Sequence, residues 1–152
     1  MPLTCGTILT IPAPAVPVFQ RSSVVVPMPN TDRILVVEDD RDARETLYIL
    51  LSREGYSVLT ADNGQQGLDL LVHGIQPRLL IVDLLLPKVP GWDILKHAAS
   101  DPSLRHMPVI VVTALSPDEV SVSADAVFHK PVDYPTLLTT VRRLMTARPA
   151  GT

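Results

Sequence analysis

Five short apolar runs, most of them followed by a stretch with helical spacing, restrict the fold of this chain more than any other feature. The runs are RILVV (33–37), YSVLTA (56–61), RLLIV (78–82), PVIVV (108–112) and AVF (126–128). Continuous apolar strands are typical of a parallel sheet that helices cover on both faces. The pattern therefore predicts an α/β fold with five parallel strands.

The stretches between the runs predict the helices. Apolar spacing places them at residues 41–54, 65–73, 91 to about 100, and 134–145, and Gly55 and Gly74 mark the ends of the first two. Between Thr113 and Lys130 there is less room, because residues 117–122 allow roughly two helical turns and contain a serine and two valines, which propagate helix poorly. We expect a shortened or irregular fourth helix there.

Length and composition indicate one globular domain. A chain of 152 residues with 46% hydrophobic content can bury one core and has no room for a second catalytic or DNA-binding domain. Residues 1–31 hold six of the 15 prolines, which predicts a flexible tail. A docking peptide, with SVVVP adding to a sheet edge, is the alternative. The domain is then predicted at 32–147, with a disordered C-terminus at 148–152.

Charge and cysteine content narrow the class of protein. A net charge of −3 argues against binding of nucleic acid or anionic membranes, which usually requires a basic excess. The single cysteine, Cys5, cannot form an internal disulfide and fits a reducing compartment. Neither a membrane-spanning run nor a secretory signal is recognisable. We expect a soluble cytoplasmic protein.

The candidate site residues are polar residues at the ends of four of the five apolar runs. In an open α/β sheet the functional site lies outside the carboxyl ends of the strands, so these residues should converge. They are Glu38, Asp39 and Asp40 after the first run, Asp83 after the third, Thr113 after the fourth, and His129 and Lys130 after or near the fifth.

Each of these residues also has a purely structural interpretation. Asp39 or Asp40 is suited to capping the first helix, Thr113 is a β-branched residue at a strand end, and Lys130 resembles a solvated lysine. Asp83 fits such an interpretation least, because the leucines and proline that follow it do not begin a surface helix. The combination at four strand ends favours a functional site.

The residue types indicate phosphoryl chemistry with a metal ion. Clustered carboxylates raise each other's pKa unless a cation joins them, and oxygen ligands suit Mg²⁺. A carboxylate such as Asp83 can then attack a phosphoryl group and form an acyl phosphate. Lys130 would neutralise one phosphoryl oxygen, and the hydroxyl of Thr113 would bond another.

Four motifs in order resemble the receiver domain of two-component response regulators. They are ILVVEDD (34–40), LLIVDLLLPKVPG (79–91), PVIVVTA (108–114) and HKP (129–131). The resemblance covers about residues 32–147 and implies a flavodoxin-like, doubly wound sheet in the order 2-1-3-4-5. It implies that Asp83 accepts a phosphoryl group from a histidine kinase or a phosphotransfer protein. It also implies that Glu38, Asp39, Asp83 and the backbone carbonyl of Leu85 bind Mg²⁺.

The sequence departs from the receiver pattern in ways that affect signalling. Val127 occupies the position, three before the lysine, where receivers usually carry an aromatic residue, and Phe128 should point to the opposite side of the strand. The shortened fourth helix should make the output surface unusual. Leu85 and Leu115, two residues after Asp83 and Thr113, cannot orient a water, so we expect slow loss of the phosphoryl group.

The leading functional hypothesis is a stand-alone receiver, a switch or relay that meets a histidine kinase or phosphotransfer protein and a downstream protein. We expect it to be a monomer or weak dimer, with no enzymatic activity beyond Mg²⁺-dependent autophosphorylation and slow autodephosphorylation. The alternative is a pseudo-receiver that binds partners without phosphorylation. A phosphatase is disfavoured because Leu85 occupies the position of a second acid, and a nucleotide-binding enzyme because no glycine-rich phosphate loop follows a strand.

Overall fold

Strands and helices alternate along residues 33–147, the part of the chain that the computed structural model describes. The predicted tail at 1–31 and the predicted disordered end at 148–152 lie outside the described residues. The elements are β1 (Arg33–Val37), α1 (Arg41–Arg53), β2 (Ser57–Ala61), α2 (Gly64–Val72), β3 (Leu79–Val82), α3 (Gly91–Ser100), β4 (Val109–Thr113), a 3-10 helix (Pro117–Glu119), β5 (Ala126–His129) and α4 (Tyr134–Thr146).

The five strands form one parallel sheet in the order β2-β1-β3-β4-β5. This confirms the predicted flavodoxin-like fold class. The register pairs Val37 with Val82 and Val82 with Val111, so β1, β3 and β4 end at the same edge of the sheet. The residues that follow these three central strands are therefore neighbours in space.

Alternate side chains of the central strands pack into two separate core clusters. Leu35 and Val37 of β1 face α2 and α3, whereas Ile34 and Val36 face α1 and α4. This follows from the two-residue period of a strand, which sends successive side chains to opposite faces. The helices contribute buried apolar side chains to both clusters, which include Leu47 and Leu51 (α1), Leu71 (α2), Ile94 (α3), and Leu137 and Val141 (α4).

The edge strands differ from the prediction. β3 and β4 are buried at every position, but β2 is buried only at Ala61, and β5 alternates between partly buried and exposed residues. The expectation that all five strands are buried on both faces is thus wrong for β2 and β5, because the core clusters are centred on β1, β3 and β4. The strand bounds also shift by one residue, so Thr113 and His129 are the last residues of β4 and β5 rather than residues that follow them.

The predicted shortening of the fourth helix is confirmed. Between β4 and β5 there is only the three-residue 3-10 helix, which begins after Ser116. The carboxylate of Glu119 accepts hydrogen bonds from the backbone N–H and the hydroxyl of Ser116, and this closes the short turn. Residues 120–124 have no regular structure. No helix within residues 33–147 has the length and apolar character needed to cross a membrane.

Candidate functional site

Two buried carboxylates lie side by side at the carboxyl edge of the sheet. Glu38 follows β1 and is 2% exposed, and Asp83 follows β3 and is 4% exposed. Their backbone N–H groups continue the sheet pattern, since Glu38 N donates to the carbonyl of Ala61 and Asp83 N donates to that of Val37, each over 3.1 Å. The strands themselves therefore hold both acids in place.

Lys130, directly after β5, joins the two acids. Its Nζ lies 2.8 Å from Oε2 of Glu38 and 2.9 Å from Oδ2 of Asp83. The interpretation of Lys130 as a solvated surface lysine is therefore wrong, because the sheet brings its ammonium to the buried carboxylates. The two ion pairs compensate the charges of Glu38 and Asp83, which would otherwise be costly to bury.

The ion pairs and burial change the pKa of two of these groups. Burial raises the pKa of Glu38, and the negative charge of Asp83 raises it further. The hydrogen bonds from Lys130 and from the N–H of Asp40 lower it, but the pKa of Glu38 remains above its usual value. Burial alone would lower the pKa of Lys130, but its bonds to Glu38 and Asp83 outweigh that effect and raise the pKa. Lys130 therefore remains an ammonium, and Glu38 favours a further cation nearby.

A third acid completes a cluster that fits a divalent cation. Asp39 is exposed, and one carboxylate oxygen from each of Glu38, Asp39 and Asp83 lies within 4.8 Å of the other two. Each carboxylate oxygen has two acceptor lone pairs, so the oxygens that bind Lys130 retain capacity for a metal. Oxygen-only donors with an open, exposed side suit Mg²⁺, which usually keeps several waters. The donor set therefore fits the predicted ion.

Asp40 does not belong to this cluster. Its carboxylate accepts a hydrogen bond of 2.9 Å from the N–H of Ala43, and this caps α1. The N–H of Asp40 in turn donates to Oε1 of Glu38 over 3.1 Å. The capping interpretation is thus confirmed for Asp40, and the same residue also orients the buried acid beside it.

The loop after Asp83 is held close to the carboxylate. The N–H of Leu85 donates to Oδ1 of Asp83 over 2.9 Å, and the side chain of Leu85 is 48% exposed. The predicted metal contact of the Leu85 carbonyl remains a prediction. A Cβ at Gly91 would lie 2.2 Å from the carbonyl oxygen of Asp83, and one at Gly64 would lie 1.5 Å from that of Val89. Sequence reasoning did not identify the close backbone approach at either glycine, because each contact joins segments that are separate along the chain.

Thr113 is fully buried at the end of β4 but is not bonded to the carboxylates. Its Oγ1 accepts a hydrogen bond from the N–H of Leu115 over 3.2 Å, and its carbonyl accepts one from the N–H of Lys130 over 2.8 Å. The structure thus places Thr113 beside the lysine that binds the acids. Val127, which stands where the receiver pattern usually has an aromatic residue, is 36% exposed. Phe128 packs against the core, as expected for the opposite side of the strand.

Comparisons with known proteins agree with this geometry. The family model described as "Response regulator receiver domain" matches residues 34–142. The polar-differentiation response regulator DivK of Brucella anthropi is 32% identical over 114 residues, which are 72% of this chain and 92% of DivK. The transcriptional regulatory protein CusR of Escherichia coli is 36% identical over 74% of this chain, which spans only 51% of CusR.

Solved structures show the same fold. The response regulator TrrA of Thermotoga maritima, crystallised in complex with Mg²⁺ and BeF, superposes with a TM-score of 0.66 at 30% identity and covers 74% of this chain and 98% of its own. The sheet order, the cluster of acids at its carboxyl edge and the family match over residues 34–142 lead to one conclusion. This chain belongs to the response regulator receiver domain family.

Proposed function

We propose that this receiver accepts a phosphoryl group on Asp83 from a phosphohistidine of a histidine kinase or phosphotransfer protein, and acts as a phosphorylation-dependent switch or relay. One observation carries the proposal: Asp83 is buried, acidic neighbours surround it, and one of its oxygens already contacts a cation, Lys130. Such a carboxylate is positioned for attack, and its surroundings can neutralise an incoming phosphoryl group.

The proposed step transfers the phosphoryl group without a net change in oxidation state. A carboxylate oxygen of Asp83 attacks phosphorus, a P–O bond forms, the P–N bond to the donor imidazole breaks, and the imidazole leaves with its electron pair and takes up a proton. Mg²⁺, held by Glu38, Asp39 and Asp83, would neutralise charge on the phosphoryl oxygens. Lys130 Nζ, 2.9 Å from Asp83, supplies a second positive charge. Thr113 ends β4, the strand next to β3, and its hydroxyl would donate to a phosphoryl oxygen after a side-chain rotation.

Loss of the phosphoryl group should be slow. Hydrolysis requires a water that attacks phosphorus while the P–O bond to Asp83 breaks, and a side chain that orients this water accelerates the step. Leu85 and Leu115 flank the site in sequence and have no polar side-chain atom to do so. The double variant Leu85→Asn, Leu115→Glu should lose its phosphoryl group about tenfold faster or more, since positioned acid–base groups contribute about 10²-fold or more.

The test of this part is the decay of the phosphorylated protein after the donor is removed, followed by mass spectrometry. A native half-life of seconds, or equal rates in the native protein and the double variant, would refute slow hydrolysis. We also propose that the chain is not an enzyme apart from its own phosphorylation and dephosphorylation. The same decay measurement follows the second of these reactions.

The phosphoacceptor itself is tested with acetyl phosphate and Mg²⁺. We expect a mass increase of one phosphoryl group and a change in the fluorescence of Trp92, which packs against the core one residue after Gly91. Asp83→Asn should abolish both signals, and the matched variant Asp93→Asn, at an exposed position of α3, should keep the mass increase. An adduct that persists in Asp83→Asn would refute the assignment.

The second candidate is a pseudo-receiver that binds a partner without phosphorylation. The exposed Val127, in place of the usual aromatic residue, and the three-residue 3-10 helix favour it. Absence of any adduct in the native protein would favour this candidate. In either case we propose a cytoplasmic protein that is a monomer or weak dimer and meets a downstream protein partner, in keeping with its single cysteine.

A further inference from the structure

Side chains hold the peptide groups of Leu115 from two directions. Its N–H donates to Oγ1 of Thr113 over 3.2 Å, and its carbonyl oxygen lies 2.8 Å from Nδ1 of His129. A carbonyl only accepts hydrogen bonds, so Nδ1 carries the proton in this contact. Thr113 is buried at the candidate site, whereas His129 is exposed at the end of β5. Leu115 therefore connects the site with the outer surface.

Backbone contacts close these bonds into a ring. Thr113 and His129 are register partners of β4 and β5, and the N–H of Lys130 donates to the carbonyl of Thr113 over 2.8 Å. The Nζ of the same lysine binds Asp83. Strands hold Thr113 and His129, so the part of the ring outside the sheet is the start of the loop at Leu115. The side chain of Leu115 packs against the core, and a three-residue 3-10 helix follows it.

The bond between Thr113 and Leu115 is the weak member of the ring. At 3.2 Å it is at the upper limit of ordinary hydrogen-bond lengths, whereas the His129 contact at 2.8 Å is short. A hydroxyl that rotates toward a phosphoryl group on Asp83 gains a charge-assisted bond, which is stronger than the neutral bond that it gives up. Once the N–H of Leu115 loses its acceptor, the bond from His129 is the side-chain hydrogen bond that still holds the Leu115 peptide groups.

We propose that His129 is a positioning residue that holds the Leu115 peptide in the unmodified protein and releases it when Thr113 engages a phosphoryl group on Asp83. This inference rests on the proposed function and deepens it by naming how the site is regulated. His129 lies two residues after Val127, and therefore on the same exposed face of β5. Val127 has neither a ring nor a hydrogen-bonding group. The change on this face of β5 upon phosphorylation is therefore the release of the His129 imidazole.

The proposal fixes the sign of a measurable effect. If the His129 bond exists only in the unmodified state, its removal destabilises that state and shifts the population toward the state with Thr113 engaged. His129→Ala should therefore bind the phosphoryl analogue beryllofluoride more tightly than the native protein, by about two- to fivefold, because a hydrogen bond of an exposed side chain contributes at the low end of the usual range. A purely structural role would weaken binding or leave it unchanged.

The experiment titrates the full chain with beryllofluoride in Mg²⁺ and follows the fluorescence of Trp92. His129→Asn is the conservative rescue, because its amide nitrogen occupies nearly the position of Nδ1, and it should return the affinity close to the native value. In the native protein, ¹⁵N NMR of the His129 ring should show a shift of Nδ1 on addition of beryllofluoride, and Asp83→Asn should show none. The NMR measurement does not depend on the folding of any His129 variant.

The outcomes separate the inference from the proposed function. If the native protein binds beryllofluoride in an Asp83-dependent manner, but His129→Ala binds it equally or more weakly, or the ring resonance does not move, the inference is refuted and the phosphoacceptor remains. If the native protein shows no Asp83-dependent binding, both are refuted. Tighter binding by His129→Ala that His129→Asn reverses supports the positioning role.

Discussion

Replacing Lys130 with methionine removes the one positive charge that the described structure places on two buried carboxylates. The ammonium lies within 2.9 Å of both Glu38 and Asp83, which are 2% and 4% exposed. Methionine keeps most of the length of the side chain and lacks the charge. The variant should therefore report the electrostatic role of Lys130 with little change in packing.

The expected loss of stability is about 3 kcal/mol at neutral pH. Removing one partner of a buried ion pair costs about 3–5 kcal/mol, because the other charge remains buried without compensation. The lower end applies here, since the side chain of Lys130 is 26% exposed and water screens part of the interaction. The matched control is Lys96→Met on α3, an exposed lysine, for which we expect a change within about 0.5 kcal/mol.

The loss should depend on pH in a defined direction. Without Lys130, the pKa of Glu38, which burial already raises above 4.5, rises further in the folded state. A folded state that binds more protons than the unfolded state gains stability as the pH falls toward the unfolded pKa. The difference between the Lys130 and Lys96 variants should therefore shrink as the pH falls from neutrality toward the usual pKa of a glutamate, as denaturant unfolding followed by circular dichroism would measure.

Mg²⁺ should also restore part of the lost stability. An ion at about 100 times its dissociation constant adds about 2.7 kcal/mol to a folded state that alone binds it. The Lys130→Met variant should gain more from Mg²⁺ than the native protein, because the ion replaces a missing positive charge. A loss that neither lower pH nor Mg²⁺ reduces would show that Lys130 acts through packing, and would refute the electrostatic argument.

Three further changes test other parts of the structure. Gly91→Ala places a Cβ 2.2 Å from the backbone oxygen of Asp83 and should destabilise the protein by about 3 kcal/mol in denaturant unfolding, so native-like stability would contradict the close approach. Asp40→Ala removes the cap of α1 and should cost about 1 kcal/mol, measured as a lower unfolding midpoint. The Arg142 bond lowers the pKa of Glu54, so its contribution is present above pH 4.5 and is lost as the pH falls; Arg142→Gln should flatten the pH dependence of stability in that range.

The fold was predictable in its class and in most of its elements. The continuous apolar runs at β1, β3 and β4 reflect burial on both faces, and this requirement is visible in sequence because every second residue cannot be polar there. The helix ends at Gly55 and Gly74 were equally visible, since both glycines have a positive φ. The exposure along β2 and β5 was not, because position at the edge of a sheet is a property of strand order.

The candidate site, like the fold, was predictable only in part. Residue types and their positions at strand ends predicted that Glu38, Asp83 and Lys130 would converge, and the structure brings them within hydrogen-bond distance. The contact between His129 and Leu115 had no sequence signal, because 14 residues and an irregular loop separate the two. Its existence depends on how far the loop folds back after a 3-10 helix of only three residues.

Sequence alone determined which chemical groups stand at the strand ends, because the alternation of apolar runs and polar termini is a local property that burial imposes on the chain. Tertiary structure decided the partners of those groups. In the folded chain the ammonium of Lys130 forms ion pairs with Glu38 and Asp83. The carbonyl of Leu115 accepts a hydrogen bond from His129, and the hydroxyl of Thr113 accepts one from the backbone. Hydrogen bonds and ion pairs form only between atoms about 3 Å apart. Strand register and the path of the loops decide which atoms come that close, and the order of residues in the sequence does not show it.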